Sequence, residues 1–236
     1  MNTNVSNKQI NRLAIPAIIA GVSEPILSLT DAAIVGHMPL NATVSLAAVG
    51  IVSSFLSMLI WVLGQSRSAI SSIISQYLGA NKLKEVKSLP AQAIAIILVL
   101  SVLICAATIP FSEAIFKFYN ASGVLLDYSV DYYKIRIIGF PFTLYTFAVF
   151  GVFRGLQNTY YPMVIAIIGT AINIALDLVL VYGITNIIAP TNLKGAALAS
   201  VLSQTLMAVM ATALLLKNTP ITLKIKGPVN KELPKF

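Results

Sequence analysis

Six stretches of this sequence are apolar over roughly the twenty residues that a helix needs to cross the hydrocarbon core of a bilayer. Charged residues make up only 10% of the chain, whereas a soluble domain has about 25%. A transmembrane barrel would show alternating segments of about ten residues, and these runs do not alternate. The sequence therefore predicts an all-α polytopic membrane protein, built as a six-transmembrane-helix bundle.

The predicted spans follow from where the apolar runs begin and end. They cover residues 10–36, 44–78, 90–109, 127–153, 162–183 and 195–216. Because proline removes a backbone hydrogen bond, Pro16 and Pro25 predict that the first helix is bent or divided. Gly139 and Pro141 predict a kink in the fourth helix. The segment 111–124 is too short and too polar to span, which predicts an interfacial segment.

The same runs indicate the domain organisation and the orientation. Residues 1–216 are interpreted as one transmembrane lobe, and the polar, basic stretch 217–236 as a cytoplasmic inter-lobe linker or tail. With the N-terminus inside, twelve of the 16 Lys and Arg residues lie in inner segments and the other four in outer segments. Since basic residues concentrate on the cytoplasmic side, we expect a multi-pass protein of the cell inner (plasma) membrane with both termini in the cytoplasm.

Acidic residues within the apolar runs are the main candidates for function. Asp177 follows Asn173 by four residues, so both side chains project from one face of the fifth helix. Asp31 lies in the first helix. An ionised carboxylate at the bilayer centre costs on the order of 2.5–3.5 kcal/mol, so we expect each acid to have a use or a partner. At about 1.5 Å of rise per residue, Asp31, Asp177 and Ser200 all fall in the outer half of the membrane.

Oxygen atoms of these side chains are ligands of the kind that a hard cation or a proton needs. The functional interpretation is a cation-binding and coupling site formed by Asp31, Asn173, Asp177 and Ser200, where the first three would also hold Na+. The alternative is that helix–helix hydrogen bonds satisfy the acids and that Ser200 only packs. Glu24, seven residues before Asp31 on the same face, is either a second proton-relay or substrate-binding group or a partner for backbone atoms at the nearby proline.

The remaining polar features favour structural roles. The outer end of the fourth helix is interpreted as an interfacial belt with snorkelling basic side chains, formed by Asp127, Asp131, Lys134 and Arg136. Gly151 and Gly155 form a GxxxG pattern, which is a weak signal for helix packing. The sequence contains no Ser-His-Asp arrangement, phosphate-binding loop or cysteine cluster, so we expect neither an enzyme nor an ATP-driven step and no cofactor beyond the coupling ion.

An ordered set of segments resembles the multidrug and toxic compound extrusion (MATE) family. The segments are EPILSLTDAAIVGHM (24–38), LAAVG (46–50), QYLGA (76–80), RGLQNTYYP (154–162), NIALDLVLVYG (173–183) and GAALASVLSQ (195–204). An acid in the first helix together with an Asn and an Asp in the fifth is similar to the DNA-damage-inducible protein F-like branch of that family. The resemblance covers nearly the whole chain.

The resemblance implies export of cationic or amphipathic compounds against an inward proton or sodium gradient, by alternating access between two six-helix lobes. Asp31, Asn173 and Asp177 match the ion-binding positions of the N-terminal lobe. Ser200 stands where a hydroxyl residue, often Thr, occurs, and Pro16 matches a proline linked to bending of the first helix.

One departure from the family concerns length, because its members have twelve helices and this chain has six predicted spans. We therefore expect an N-terminal half that works with membrane lipid, with small cationic or amphipathic substrates, and with a C-terminal six-helix lobe or another half; we expect no nucleic acid partner. One alternative is a lipid-linked oligosaccharide flippase of the same superfamily, for which only Arg67, Lys134 and Arg136 are candidate phosphate ligands. The other is a non-transporting, truncated membrane protein.

Overall fold

The computed structural model describes residues 6–86, 88–184, 187, 189–221 and 223 of the chain. The α-helices in this part of the chain are α1 (Asn7–Gly36), α2 (Ala42–Gly64), α3 (Ser66–Gly79), α4 (Leu89–Thr108), α5 (Ser112–Phe118), α6 (Gly123–Arg136), α7 (Phe140–Gly155), α8 (Tyr160–Tyr182) and α9 (Asn192–Asn218). Short 3-10 helices lie at Leu83–Val86 and Ile137–Gly139.

The prediction of six spans is confirmed. Six helical segments of the described chain are long and apolar enough to cross a membrane: Ile10–Gly36, Ala42–Gly79, Leu89–Thr108, Gly123–Gly155, Tyr160–Tyr182 and Asn192–Asn218. Two of them combine neighbouring helices, namely α2 with α3 and α6 with α7. The segment predicted to be interfacial contains the short helix α5, which is far below spanning length.

The fourth span is interrupted at the place where Gly139 and Pro141 predicted a kink. Helix α6 ends at Arg136, a 3-10 turn follows, and α7 begins at Phe140. Pro141 lies in the first turn of α7, where the N–H that proline lacks would have no partner inside the helix. The span begins at Gly123, earlier than the predicted Asp127. Leu126, in the added turn of helix, is buried in the bundle.

Helix α1 is continuous from Asn7 to Gly36, with Pro16 and Pro25 inside it. Of the two predicted outcomes, a bent or a divided helix, division does not occur, because each proline removes only a single hydrogen bond of the helical ladder. The bend at these prolines stays a prediction. Most of α1 is exposed on the surface of the bundle, and it packs mainly against α8 and to a smaller extent against α2.

Hydrogen bonds tie α1 to α8 and its flanking loop near both ends. At the end that we call the lower end, Thr159 Oγ1 donates to the Leu13 carbonyl at 2.9 Å. At the upper end, Tyr182 Oη donates to the Ile34 carbonyl at 2.8 Å, next to the α1–α2 connection at 37–41. These contacts fix the register of α1 against α8.

Helices α3 and α7 approach each other closely through the two glycines of the GxxxG pattern. A Cβ atom added at Gly151 would lie 2.5 Å from the Arg67 carbonyl oxygen, and one at Gly155 would lie 2.7 Å from Ile74 Cβ. The structure thus confirms the packing role that the pattern predicted. This contact anchors α7 against α3.

An aromatic cluster holds α6 in the bundle. The Tyr133 ring centroid lies 5.3 Å from that of Phe116 on α5 and 5.7 Å from that of Phe55 on α2. Tyr133 Oη also donates to Thr108 Oγ1 at 2.5 Å. Because α6 is fixed in this way by three neighbouring helices, its adjacent residue Tyr132 has a defined position inside the bundle, where it is 2% exposed.

The last helix extends slightly beyond its predicted end. Helix α9 runs to Asn218, so Lys217 belongs to its last turn and not to the predicted linker or tail. Residues 222 and 224–236 of that predicted segment lie outside the described residues.

Candidate functional site

Helix α8 packs against both α1 and α9, and the polar residues of the three helices meet at this contact. Asn173 and Asp177 project from α8, Asp31 from α1, and Ser200 and Ser203 belong to α9. Their meeting follows from the i, i+4 spacing on α8, which puts Asn173 and Asp177 on one buried face. The structure therefore brings together all four residues of the predicted coupling site.

Asn173 is the centre of this group. In the amide orientation that satisfies both of its polar atoms, its Nδ2 donates to Asp31 Oδ1 at 2.9 Å and to Asp177 Oδ2 at 3.1 Å. Its Oδ1 then accepts from Ser203 Oγ at 3.2 Å and from the Ser200 backbone N–H at 3.2 Å. Amide orientation is assigned from hydrogen bonding, and the opposite orientation would turn the amide oxygen toward two carboxyl groups. One amide thus links α1, α8 and α9.

The group is buried deeply for such polar side chains. Asn173 and Asp177 are both 0% exposed, while Asp31 is half-buried. Among the described residues, Asp177 Oδ1 has no hydrogen-bond partner in the assigned network. A buried carboxylate oxygen without a partner is unfavourable, so this oxygen is where a proton or cation would be most stabilising.

The two carboxyl groups also lie within hydrogen-bonding reach of each other. Two ionised carboxylates cannot donate to one another, whereas a carboxylic acid donates its O–H to a carboxylate. A single proton shared by Asp31 and Asp177 would therefore turn a repulsive contact between α1 and α8 into an attractive one. This is the chemical property that sets the site apart from the remaining helix contacts.

The serine that bonds Asn173 through its hydroxyl is Ser203, which sequence reasoning missed. Ser200, the predicted residue, is 3% exposed and donates its backbone N–H to Asn173. Its carbonyl lies 3.0 Å from Ser203 Oγ and is the alternative acceptor for the one hydroxyl hydrogen of Ser203. Ser203 lies one helical turn after Ser200 and is 2% exposed. The signal that could have found it is the i, i+3 spacing of two serines in an apolar helix.

A cavity of about 260 Å³ opens beside Asp31, between α1, α2, α6, α7 and α9. Glu24 and Asp31 both line it, as their spacing of seven residues on one helix face predicted. Apolar side chains, among them Leu27, Trp61 and Phe147, form much of the remaining wall. The cavity combines carboxyl groups with aromatic and aliphatic surface, which suits an amphipathic cation.

Arg136 faces this cavity, although the sequence indicated a place in the interfacial belt. Its Nη1 donates to Gln204 Oε1 at 3.0 Å, and its guanidinium lies in electrostatic range of Asp31 and Asp177. Arg136 faces the cavity because α6 ends at this residue and the 3-10 turn follows. Its side chain therefore lies at the interrupted middle of the span. The cavity thus holds an internal positive charge opposite its acids.

Glu24 marks the lower part of the cavity. Its carboxyl group lies in electrostatic range of Arg67 and Arg154, and the Arg67 guanidinium stacks over the Phe147 ring at 4.9 Å from its centroid. Glu24 is exposed on the surface of this lobe, so it is open to a substrate or to a further protein surface. Of the two interpretations of Glu24, the geometry favours the one in which its carboxyl group faces the cavity.

The direction of the Asn173 amide decides which atoms this site offers to a cation. Within the described residues, no cluster of three or more His, Cys, Asp or Glu side chains occurs. Asp31 and Asp177 offer carboxylate oxygens, but Asn173 turns its N–H groups toward them and its oxygen toward Ser203. Binding of Na+ by all three predicted residues would require the opposite amide orientation, in which Asn173 Nδ2 donates to Ser203 Oγ at 3.2 Å and the bond from the Ser200 N–H is lost.

A protein-family model, MatE, matches residues 16–179, which include the larger part of α1 and nearly all of α8. The chain belongs to the MatE family. The resemblance noted in the sequence is thereby confirmed, and the relatives of this MatE chain are transporters, which is consistent with the expectation that it is not an enzyme.

Two curated relatives illustrate the extent of the similarity. The DNA damage-inducible protein F of Escherichia coli is 28% identical over 200 residues, which are 84% of this chain and 42% of the relative. The probable multidrug resistance protein NorM of Thermotoga maritima is 26% identical over 227 residues, which are 94% of this chain and 47% of the relative. The MatE chain thus spans less than half the length of these relatives.

Solved structures show the same fold over the same fraction. A MATE structure in the bent conformation superimposes with a TM-score of 0.84 at 24% identity, over 94% of this chain and 49% of that one. A Pyrococcus furiosus transporter of the MOP superfamily, described as having a binding pocket of reverse polarity, gives a TM-score of 0.80 at 22% identity, over 92% of this chain and 47% of that one. The six spans therefore correspond to about half of this architecture.

Proposed function

We propose that this chain is the N-terminal lobe of a proton-coupled multidrug antiporter that exports cationic or amphipathic compounds. The names of the curated relatives, which include multidrug resistance and multidrug export proteins, support the multidrug part of this proposal. The amphipathic cavity beside Asp31 supports the substrate class, since it joins two carboxyl groups to an aromatic wall. The lipid-linked oligosaccharide flippase is not favoured by these relatives.

The observation that carries the proposal is the bridge from Asn173 to both Asp31 and Asp177. Two unit charges about 4 Å apart repel by roughly 4 kcal/mol at the effective dielectric typical of proteins. Loss of the shared proton would therefore weaken the contact between α1 and α8, and a bound cation in the cavity would relieve the repulsion in its place. Proton and substrate would then exclude each other, which is the requirement for antiport.

Sodium is the alternative coupling ion, and the orientation of Asn173 argues against it. A sodium site requires oxygen ligands, and this side chain presents N–H groups to the carboxylates. We therefore assign the coupling role to a proton carried by Asp31 and Asp177. In this proposal Ser200 and Ser203 keep Asn173 oriented, and Glu24 receives the substrate lower in the cavity.

The orientation that we propose places both termini in the cytoplasm and the upper end of the bundle outside the cell. The distribution of basic residues supports it, because only three of the 16 Lys and Arg residues, Lys117, Lys134 and Lys194, lie in segments of the upper end, while Arg136 faces the cavity. A second six-helix lobe, which faces Glu24 across the open side of the cavity, would complete the transport path. Its source is either another chain or a further part of a longer protein.

Competition between protons and substrate tests this function on the described lobe itself. A fluorescent cationic dye such as ethidium would be titrated into the purified chain in detergent at several pH values. If one proton is displaced for each dye bound, the apparent Kd rises about tenfold for each unit that pH falls within the linked range. The same titration at fixed pH with added Na+ would leave the Kd unchanged.

Asp31→Asn and Asp177→Asn are the informative variants, because each removes the carboxyl group and keeps the shape. Both would abolish the dependence of dye affinity on pH. Asp127→Asn, at an exposed position on α6, is the matched control and would keep it. Dye affinity that responds to Na+ but not to pH would replace the proton with sodium, and affinity that responds to neither would favour the non-transporting alternative.

A further inference from the structure

A second cavity, of about 360 Å³, lies at the upper end of the bundle. It is bounded by the 37–41 connection and by residues of α2, α6 and the start of α9. Polar side chains contribute to its wall, among them Asn41, Ser45, Asp131 and Lys194. At about 30 Å³ per water molecule, the volume admits roughly ten waters with polar partners.

Ser45 is the buried polar residue of this upper cavity. It is 0% exposed, it lines the cavity, and its Oγ has no hydrogen-bond partner among the described residues. Other serines in helices of this chain bond a carbonyl of the preceding turn, as Ser129 Oγ does with Leu125 at 2.8 Å. The Ser45 hydroxyl has no accessible surface in this structure, and a water molecule admitted from the cavity would supply the partner that it lacks.

One side chain, Tyr132, lines both the upper cavity and the cavity beside Asp31. Its hydroxyl lies within hydrogen-bonding reach of Arg136 and in electrostatic range of Asp31 and Asp177. The charged and titratable groups around the carboxyl pair are therefore Tyr132 and Arg136 on α6 and Glu24 along α1. Tyr132 is therefore the residue that the two cavities share.

We propose that the upper cavity is an aqueous vestibule through which protons from outside reach Asp31 and Asp177 within this one lobe, with Tyr132 as the gate. The inference rests on the proposed function. When the Tyr132 ring turns aside, a hydronium ion in the vestibule gives its proton to the Asp31–Asp177 pair and leaves a water molecule behind. Protons then arrive by a route separate from the open side of the cavity, where the substrate enters.

An exposed ion pair marks the mouth of this vestibule. Lys194 Nζ lies 3.0 Å from Asp131 Oδ2, and both side chains are more than half exposed. Pairs of this kind are weak and screened by salt, so the mouth opens readily. It joins the start of α9 to α6 directly above Tyr132.

Cysteine labelling in sealed vesicles tests whether the vestibule is open to the outside. The chain has one cysteine, so Cys105→Ala gives a clean background for Ser45→Cys. The matched control is Ser101→Cys, because Ser101 is also 0% exposed but bonds the Leu98 carbonyl and lines neither cavity. A charged, membrane-impermeant methanethiosulfonate added outside would react about tenfold faster with Cys at position 45, since thiolates form far more easily in water than in apolar surroundings. Equal, slow labelling of both would overturn the proposal.

A kinetic measurement tests whether protons use this route. After rapid external acidification, infrared absorption of protonated carboxyl groups would report arrival of the proton at Asp31 and Asp177. Modification of Ser45→Cys would slow this signal several-fold for external acid and leave it unchanged for internal acid. An unchanged external rate would overturn the vestibule and spare the proposed function. Absence of the signal in the unmodified protein would instead defeat the proposed function.

Discussion

Two helix contacts in this chain use opposite physical means. Helices α3 and α7 meet through bare glycines, with Gly151 against the Arg67 backbone and Gly155 against Ile74. Helices α1, α8 and α9 meet through Asn173, whose amide joins two carboxyl groups and two serine residues. The first contact has no titratable group at its closest approach, whereas the second contains two.

The difference shows which part of the lobe can respond to a proton. Close packing is either satisfied or lost, because a well-packed contact has no second arrangement of similar energy. A contact built on two carboxyl groups has two states of charge, and the proton decides whether the groups attract or repel. We therefore regard α3 and α7 as scaffold and the contact of α1 with α8 as the element that would change in the proposed transport cycle.

The largest effect is expected at the scaffold contact. Gly151→Val would force side-chain atoms into the Arg67 backbone, which a Cβ alone already approaches to 2.5 Å. Overpacking of this kind costs about 3 kcal/mol or more, so the variant would show a clearly lower unfolding midpoint in detergent or fail to fold. Gly50→Ala is the control, because an added Cβ there meets nothing within 4 Å. Equal unfolding midpoints for both variants would mean that the stability of the protein does not depend on the close approach of α3 and α7.

A smaller loss of stability is expected at the polar contact. Asn173→Leu keeps the volume but removes the donor to Asp31 and Asp177, and hydrogen bonds between transmembrane helices contribute about 0.6–1.7 kcal/mol. We expect a loss of about 1–2 kcal/mol in the free energy of unfolding, because the buried carboxyl groups also lose their partner. Asn218→Leu, which removes only an exposed bond to the Leu214 carbonyl, would change it by less than about 0.5 kcal/mol.

The sharper form of this test combines substitutions. If Asn173 acts through the carboxyl groups, Asn173→Leu would lose part of its effect in an Asp31→Asn background, and the two changes would not add. Additive effects would mean that Asn173 stabilises the contact independently of the two carboxyl groups. The contrast between the two helix contacts would then fail.

The smallest effect is expected outside the membrane spans, at the Glu113–Lys117 pair of α5. Lys117 Nζ lies 2.6 Å from Glu113 Oε1, and this hydrogen bond with the lysine lowers the pKa of Glu113 below its usual value. Because the pKa is lower in the folded state, the pair adds stability above the unfolded pKa and loses it as pH falls through the folded value. Lys117→Ala would return the pKa of Glu113 toward its usual value, which carbon-detected NMR would measure. Stability would change little because the pair is exposed. A pKa that does not rise would contradict the assignment of its cause.

Much of the fold could be predicted because hydrophobic length and helix breakers are local properties. The apolar runs located the six spans, and Gly139 with Pro141 located the interruption between α6 and α7. The spacing of Asn173 and Asp177 also predicted a shared face. That Asp31 meets them depends on the packing of α1 on α8, which no local pattern specifies and which the family resemblance implied.

The rest of the site depends on side-chain directions that the sequence does not determine. Arg136 follows an amphipathic stretch typical of a membrane interface, yet the 3-10 turn after it leaves its side chain in the cavity. Ser203 and Ser200 lie three residues apart, so either hydroxyl could have faced α8. Tyr132 looked like one of several interfacial tyrosines, and only the two cavities that it separates distinguish it.

The most direct test of the central claim is equilibrium infrared spectroscopy of the carboxyl groups as a function of pH. The account predicts an absorption band of a protonated carboxylic acid at neutral pH that disappears in Asp31→Asn and in Asp177→Asn and persists in Asp127→Asn. A band that persists in both of the first two variants would contradict a proton shared between α1 and α8. Absence of the band from the unmodified chain at every pH above the pKa of ordinary carboxyl groups would contradict it as well.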